Sequence, residues 1–164
     1  MAKNRITDPM DALVGLQTAL DDGIVTLTPC ELHSDLAVLL DQPTDKPRFT
    51  YAFIEKNKVI AVALFVLTES VQSIPCFSIG YAVVDSRRRN SIGSRILLQA
   101  IDELRHGLSR NRVSEFYLEA IVSTENIPSN KLARRLISDS PKPGTDCFSG
   151  EPILQYLRKV ECVP

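Results

Sequence analysis

The chain has 164 residues, 44% hydrophobic and 24% charged, with a formal net charge of −1. That length suits one domain, residues 1–164, with a substantial core, and the charge disfavours a nucleic-acid partner held by bulk electrostatics. No stretch approaches the roughly 20 apolar residues of a membrane span, and the N-terminal MAKNRITDPM has no apolar signal core, so a cytoplasmic protein with no membrane partner is expected.

Residues 9 to 21 (PMDALVGLQTALD) have the spacing of a short amphipathic helix that ends near Gly23. Ile24 to Leu27 reads as a first strand. Pro29 to Leu40, with Thr28 as cap and Leu32, Leu36, Val38, Leu39 and Leu40 as its apolar set, reads as a second helix. Gln42 to Pro47 carries two prolines and is a loop. The period then changes. Phe49 to Glu55 is a strand, Lys56-Asn57-Lys58 a turn, and Val59 to Thr68 a buried strand paired with the first in a hairpin. Glu69 to Pro75 reads as a longer loop, and Phe77 to Val84 as a third strand. A helix enters at Ile92-Gly93, its face marked by Ile92, Ile96, Leu97, Ala100, Ile101, Leu104 and Leu108. Ser109 to Arg112 is a turn, and Val113 to Val122 a strand that the strand–helix–strand rule places parallel to the preceding one. Another helix follows Asn126, and the tail closes with a strand from Ile153 to Val160 after the Pro-Lys-Pro-Gly break.

The segment from Phe77 to Arg105 organises this order. A strand that delivers a polar loop onto a helix start makes a place for an anion, because the first turn has unpaired N–H groups and a partial positive charge. Gly93 offers close backbone approach. Arg87, Arg88 and Arg89 add positive charge beside it, although three loop arginines also read simply as a solvated cluster.

Arg88 to Gly93 (Arg-Arg-Asn-Ser-Ile-Gly) resembles the Gln/Arg-x-x-Gly-x-Gly/Ala hallmark of the GNAT superfamily of acyl-CoA-dependent N-acyltransferases. Arg88 and Gly93 match, and Ser91 stands where the first glycine is usual. The resemblance covers roughly residues 23 to 137. It implies an α/β fold with a mixed, mostly antiparallel central sheet flanked by helices, and acetyl-CoA as co-substrate. Arg88, Arg89, Asn90, Ser91, Ile92, Gly93 and Ser94 would then surround the diphosphate, and the main chain of Val83 and Val84 would pair with the pantetheine amides. Gly80 would mark a bulge where two strands splay. Asn126 and Ser129 are similar to the family's Asn-x-x-Ala/Ser segment near the pantetheine, while an N-cap role for Asn126 explains that residue equally well.

Departures fall on the acid–base half of the pattern. Ala133 replaces the tyrosine that protonates the departing thiolate in many relatives, Ile137-Ser138 replaces a Gly-Phe, and Phe77 and Ser78 stand where some relatives have a glutamate base. Glu119 and Glu69 are candidate proton relays and Tyr81 and Tyr117 candidate acids, each also readable as an ordinary surface or core residue, so the catalytic residues stay unassigned. Cys30, Cys76, Cys147 and Cys162 form no CxxC pair, and neither His33 nor His106 has a cysteine at ligand spacing, so no metal site is expected. The expected activity is acetyl transfer to a primary amine, on a small molecule or a peptide, by direct attack in a ternary complex. A catalytically idle acyl-CoA-binding or regulatory module is the alternative. An acetylating toxin acting on charged tRNA has little support from the net charge. A homodimer is left open.

Overall fold

The computed structural model describes residues 8–88 and 90–162. It opens with helix α1 (Pro9–Asp21), whose first turn is capped by Asp8 Oδ1 accepting from Met10 N at 2.8 Å. Gly23, at φ +68°, turns the chain out of the helix in the left-handed region. Leu13 and Leu16 face the sheet. Gln17 ties the helix to the β-hairpin beneath it, accepting from Val59 N at 2.7 Å and donating to the Asn57 carbonyl at 3.0 Å.

The next segment departs from expectation. Ile24 to Leu27 forms no strand, although Val25 and Leu27 still pack against the α1 side of the core. In place of a second helix the chain forms β1 (Thr28–Pro29), a turn, and β2 (Leu36–Asp41). Pairing decides this. Leu36 to Asp41 lies antiparallel along β3 (Arg48–Glu55) over its whole length, burying Leu36 and Val38 on one face and Leu39 on the other. A ladder with two packed faces outweighs a modest helical preference.

The central meander follows β3 with β4 (Lys58–Val71) and β5 (Ile74–Val83). Both hairpins close on two residues with left-handed φ, Lys56-Asn57 at 49° and 65° and Gln72-Ser73 at 51° and 67°, the primed-turn geometry that matches strand twist. The expected loop from Glu69 to Pro75 is therefore mostly strand, with Val71 paired to Ile74. After a single 3₁₀ turn (Asp85–Arg87), α2 (Ile92–Arg110) runs through the expected turn at Ser109 and is capped at Asn111. Then come β6 (Glu115–Ser123), α3 (Ile127–Leu136), and a closing hairpin of β7 (Lys142–Thr145) and β8 (Pro152–Glu161).

The eight strands lie in the order β1-β2-β3-β4-β5-β6-β8-β7, and each neighbouring pair is antiparallel except β5 with β6, which is parallel as the strand–helix–strand order requires. This is the expected mixed, mostly antiparallel sheet. α2 lies over β2 to β5 and α3 over β6 and β8, while α1 packs on the opposite face over β4 and β5. The α2-side core is centred on Phe65, Ile96, Leu104, Phe116, Leu118 and Tyr156.

Candidate functional site

β5 and β6 share only three rungs, Cys76 to Tyr117, Phe77 to Leu118 and Ser78 to Glu119. Beyond Ser78 the strands part, and β5 continues to Val83 paired with β4 alone. No bulge causes this. The β4–β5 register runs unbroken from Cys76 to Val83, and Gly80 serves packing instead, since a Cβ there would lie 2.8 Å from Pro9 Cγ. The result is a fork in the sheet, closed at Ser78 and open toward the N-terminus of α2.

Main-chain groups line one edge of the fork. Val84 N donates to Ile60 O at 3.0 Å, so by ladder alternation the N–H and C=O of Tyr81 and Val83 point away from β4 and into the fork. Val83 thus turns its main chain into the fork. Val84 does not, because its N–H is held by Ile60 and its carbonyl accepts from Arg87 N at 3.0 Å.

The first turn of α2 faces the open end. Ser91, the N-cap residue, sits at φ +58° and makes no side-chain cap. A left-handed backbone at that position is the physical reason a glycine suits it. α3 is different: Asn126 Oδ1 accepts from Ser129 N at 3.2 Å, so Asn126 is an N-cap whatever else it does. α2 therefore offers first-turn N–H groups that no side chain caps, with no acidic residue among them.

Gly93 has its lack of Cβ filled from within. A Cβ there would stand 2.9 Å from Tyr81 Cε2, 3.2 Å from Tyr81 Cδ2 and 3.8 Å from Val83 Cγ2. The Tyr81 hydroxyl in turn hydrogen-bonds Ser129 Oγ at 3.0 Å. One ring thus joins the two motifs, Gly93 on α2 and Ser129 on α3, across the fork.

The arginines are partly engaged. Arg88 donates from Nε to the Val83 carbonyl at 3.3 Å and pairs with Asp85 at 2.9 Å. Arg87 pairs with Glu55, and Arg95 lies 4.7 Å over the Phe53 ring. Arg89 lies outside the described residues. Asn90 is exposed on the loop, whereas Ile92 is buried in the core and contributes only main chain to the loop side. Ser94 receives a hydrogen bond from Arg135 Nη2 at 2.7 Å. Sequence reasoning missed both Arg135 and the structural role of Tyr81. Their placement depends on how α3 docks, which no linear spacing encodes.

Among the acid–base candidates, Glu119 stands at the last rung beside Ser78, on the face opposite α2 and α3, where Gln155 Nε2 donates to its Oε2 at 2.6 Å. Tyr117 pairs with Cys76, two rungs from Ser78 on the side away from the open fork, and Glu69 lies past that pair on β4. Ala133 is buried and supplies no acid. Among the described residues no cluster of His, Cys, Asp and Glu has metal-site geometry, and no helix is long and apolar enough to cross a membrane.

The fold has counterparts among solved structures. A GNAT-family acetyltransferase from Streptococcus pneumoniae superposes with TM-score 0.52 at 15% identity over 95% of this chain and 97% of that one. The fold is that of the GNAT acetyltransferases. A ribosomal-protein-alanine N-acetyltransferase from Brucella melitensis gives TM-score 0.51 at 15% identity, covering 95% and 81% of the two chains. A ribosomal-protein α-N-acetyltransferase in complex with coenzyme A gives 0.50 at 19% identity, with 71% of this chain matched to 64% of that one. The chain thus spans less than two thirds of that relative's length. No sequence-family model matches the chain, and neither does any curated protein sequence.

A second concavity lies at the far end of α2. It encloses about 210 Å³ between the segment Thr28 to Glu31 and the helix, and is lined by Cys30, Tyr51 and Glu103 among others. Glu103 is buried and its Oε1 accepts from Leu32 N at 2.6 Å, from His33 N at 2.7 Å and from the His33 ring at 3.2 Å. That carboxylate is what fixes the turn between β1 and β2. Burial, with Glu103, Asp35 and Glu31 nearby, pushes the Cys30 thiol up to about 12.

Proposed function

We propose that this chain binds acetyl-CoA in the fork between β5 and β6 and transfers the acetyl group to a primary amine. The observation that carries the reading is the coincidence of three features: strands that part after Ser78, main-chain groups of Tyr81 and Val83 turned away from β4 along one edge, and an α2 start at the open end that no described side chain caps. The first-turn N–H groups of α2 suit a diphosphate, with Arg88 and Arg135 close by to add charge. Tyr81 and Val83 offer main-chain partners for an extended amide chain, so Tyr81 takes the part first expected of Val84. Asn126, Ser129, Asn90 and Ser94 border the same space. The coenzyme A complex of a protein with this fold supports the same choice of ligand.

The bound thioester supplies an electrophilic carbonyl, and the fork holds it beside the incoming amine. Glu119, oriented by Gln155 at the closed end, is the carboxylate best placed to take the proton that the amine sheds on attack. The acceptor is a small-molecule or peptide amine, as suits relatives that are named ribosomal-protein N-acetyltransferases. A binding module without turnover is the competing reading, favoured by Ala133 in place of an acid.

Calorimetric titration with acetyl-CoA and with free CoA tests the proposal. Micromolar binding is expected, and Gly93→Glu, which sets a carboxylate beside the diphosphate and crowds Tyr81, abolishes it in a variant whose circular dichroism is checked for fold. Acceptor-dependent release of free thiol marks an enzyme, and binding without release across an amine panel marks the module. No binding to the folded chain refutes both.

A further inference from the structure

An amine reaches a thioester held in the fork from the face that α2 and α3 leave open. That face carries α1, which packs over β4 and β5. The segment expected to form a second helix joins the far edge of the sheet as β1 and β2 instead, and so covers nothing here. Among the described residues nothing covers the β6–β8 half of the face. Strand alternation puts Glu119 and Ile121 of β6 there with Ile153, Gln155 and Leu157 of β8, because Phe116, Leu118, Ala120 and Tyr156 point into the α2-side core. Ile121 keeps 47% of its surface exposed and Leu157 39%.

The pattern on this strip is specific. Glu119 is opposite Leu157, and Ile121 is opposite Gln155. Glu119 has an amide partner and no cation among the described residues, whereas the neighbouring Glu115 is neutralised by Lys159 at 3.1 Å. Beyond the carboxylate at the fork, Ile121, Leu157 and Ile153 give the strip its apolar surface, with Gln155 set among them. A polyamine or an aminoglycoside calls for a walled site with several acidic groups. One ammonium followed by apolar side chains on an extended backbone matches what is here.

Resting on the acetyltransferase reading, we infer that the uncovered β6–β8 face is the acceptor surface and that it takes the amino terminus of a polypeptide, its ammonium at Glu119 and its first apolar side chains on Ile121 and Leu157. A polypeptide brings its own surface to cover the strip, so the lack of a wall is no handicap. Binding precedes chemistry and needs no cofactor.

The test is a nuclear magnetic resonance titration of the full chain with the tetrapeptide amide Ala-Ile-Leu-Gly and with its N-acetylated form, with and without acetyl-CoA, alongside turnover of the free peptide and of spermidine. The free peptide is expected to shift the amides of Ile121 and Leu157, and the acetylated form to bind about tenfold more weakly or worse, having no cation for Glu119. Ile121→Ser and Leu157→Ser each raise the peptide KM about tenfold, the scale of one lost apolar contact, and leave acetyl-CoA affinity unchanged. Turnover of spermidine in preference to the peptide, or serine variants with an unaltered peptide KM, overturns the inference. Serine variants that turn a dimer into a monomer with peptide binding unmoved also overturn it, by making the face a contact between copies. Peptide docking that persists where acetyl-CoA fails to bind supports the surface and sinks only the cofactor reading.

Discussion

Gly93→Ala isolates the packing at the mouth of the fork. The added Cβ would lie 2.9 Å from one Tyr81 ring carbon and 3.2 Å from the next, and that ring is held on its far side by the 3.0 Å hydrogen bond to Ser129. Two effects oppose each other. Alanine in place of glycine in a helix contributes about 0.5–1 kcal/mol, whereas an extra carbon forced against a fixed neighbour costs about 1–3 kcal/mol. The ring cannot retreat without losing its hydrogen bond, worth about 1 kcal/mol, so the cost prevails and a net loss of about 1–2 kcal/mol is expected. Gly107→Ala is the control. It lies in the same helix, and nothing stands within 4 Å of its added Cβ. Urea denaturation should show the two substitutions moving stability in opposite directions, Gly107→Ala upward by about 0.5–1 kcal/mol. In a Tyr81→Ala background the Gly93→Ala penalty should vanish, a coupling read directly from the double-mutant cycle. Equal stabilisation by the two glycine substitutions would refute the argument that Tyr81 occupies the Gly93 site.

Three further outcomes are expected. Ser91→Gly relieves a left-handed backbone at φ +58° and should stabilise by about 1 kcal/mol, seen as a rise in Tm of about 2–4 °C for a domain of this size. Glu103→Ala leaves the Leu32 and His33 N–H groups without their acceptor and should cost about 3 kcal/mol by chemical denaturation, with Glu103→Gln recovering part of it through the remaining amide oxygen. Iodoacetamide at pH 8 should label the exposed Cys147 first, since burial pushes Cys30 up to about 12 and Cys76 up to about 11, and burial also raises Cys162; peptide mass spectrometry reads the order.

Reading the chain before its structure succeeded where one periodicity acted alone. The apolar stripe from Ile92 to Leu108 and the β-branched run around Val62 each have one good solution, and Gly23 after α1 and Asn126 before α3 mark helix ends by local chemistry. Pro29 to Leu40 failed because its leucines fit a helix as well as they fit a strand, and the partner that decides the matter, β3, comes later in the chain. The turn at Gln72-Ser73 failed because neither residue advertises the left-handed φ that both adopt. At the site, Arg88, Ser91 and Gly93 could be placed on the loop and helix start from a six-residue pattern. Tyr81 and Arg135 could not, since each reaches the fork only through contacts between elements far apart in the chain.

The three parallel rungs have a consequence for how the molecule assembles. Among the described residues they are the only strand pairing between the β1 to β5 meander and the three strands β6, β8 and β7. Within β1 to β5 consecutive strands pair and closure is quick, whereas β6 pairs with β8 only after the chain has passed through α3 and β7. The rungs wait for closure of the long connection through α2, as the β6–β8 ladder waits for the one through α3, and such contacts are the slowest to make. Both junctions of β6 thus form late, and the seam, with three rungs against nine in the β6–β8 ladder, is the weaker of the two; Phe77 and Leu118, facing one another across it, are where late folding events should be visible.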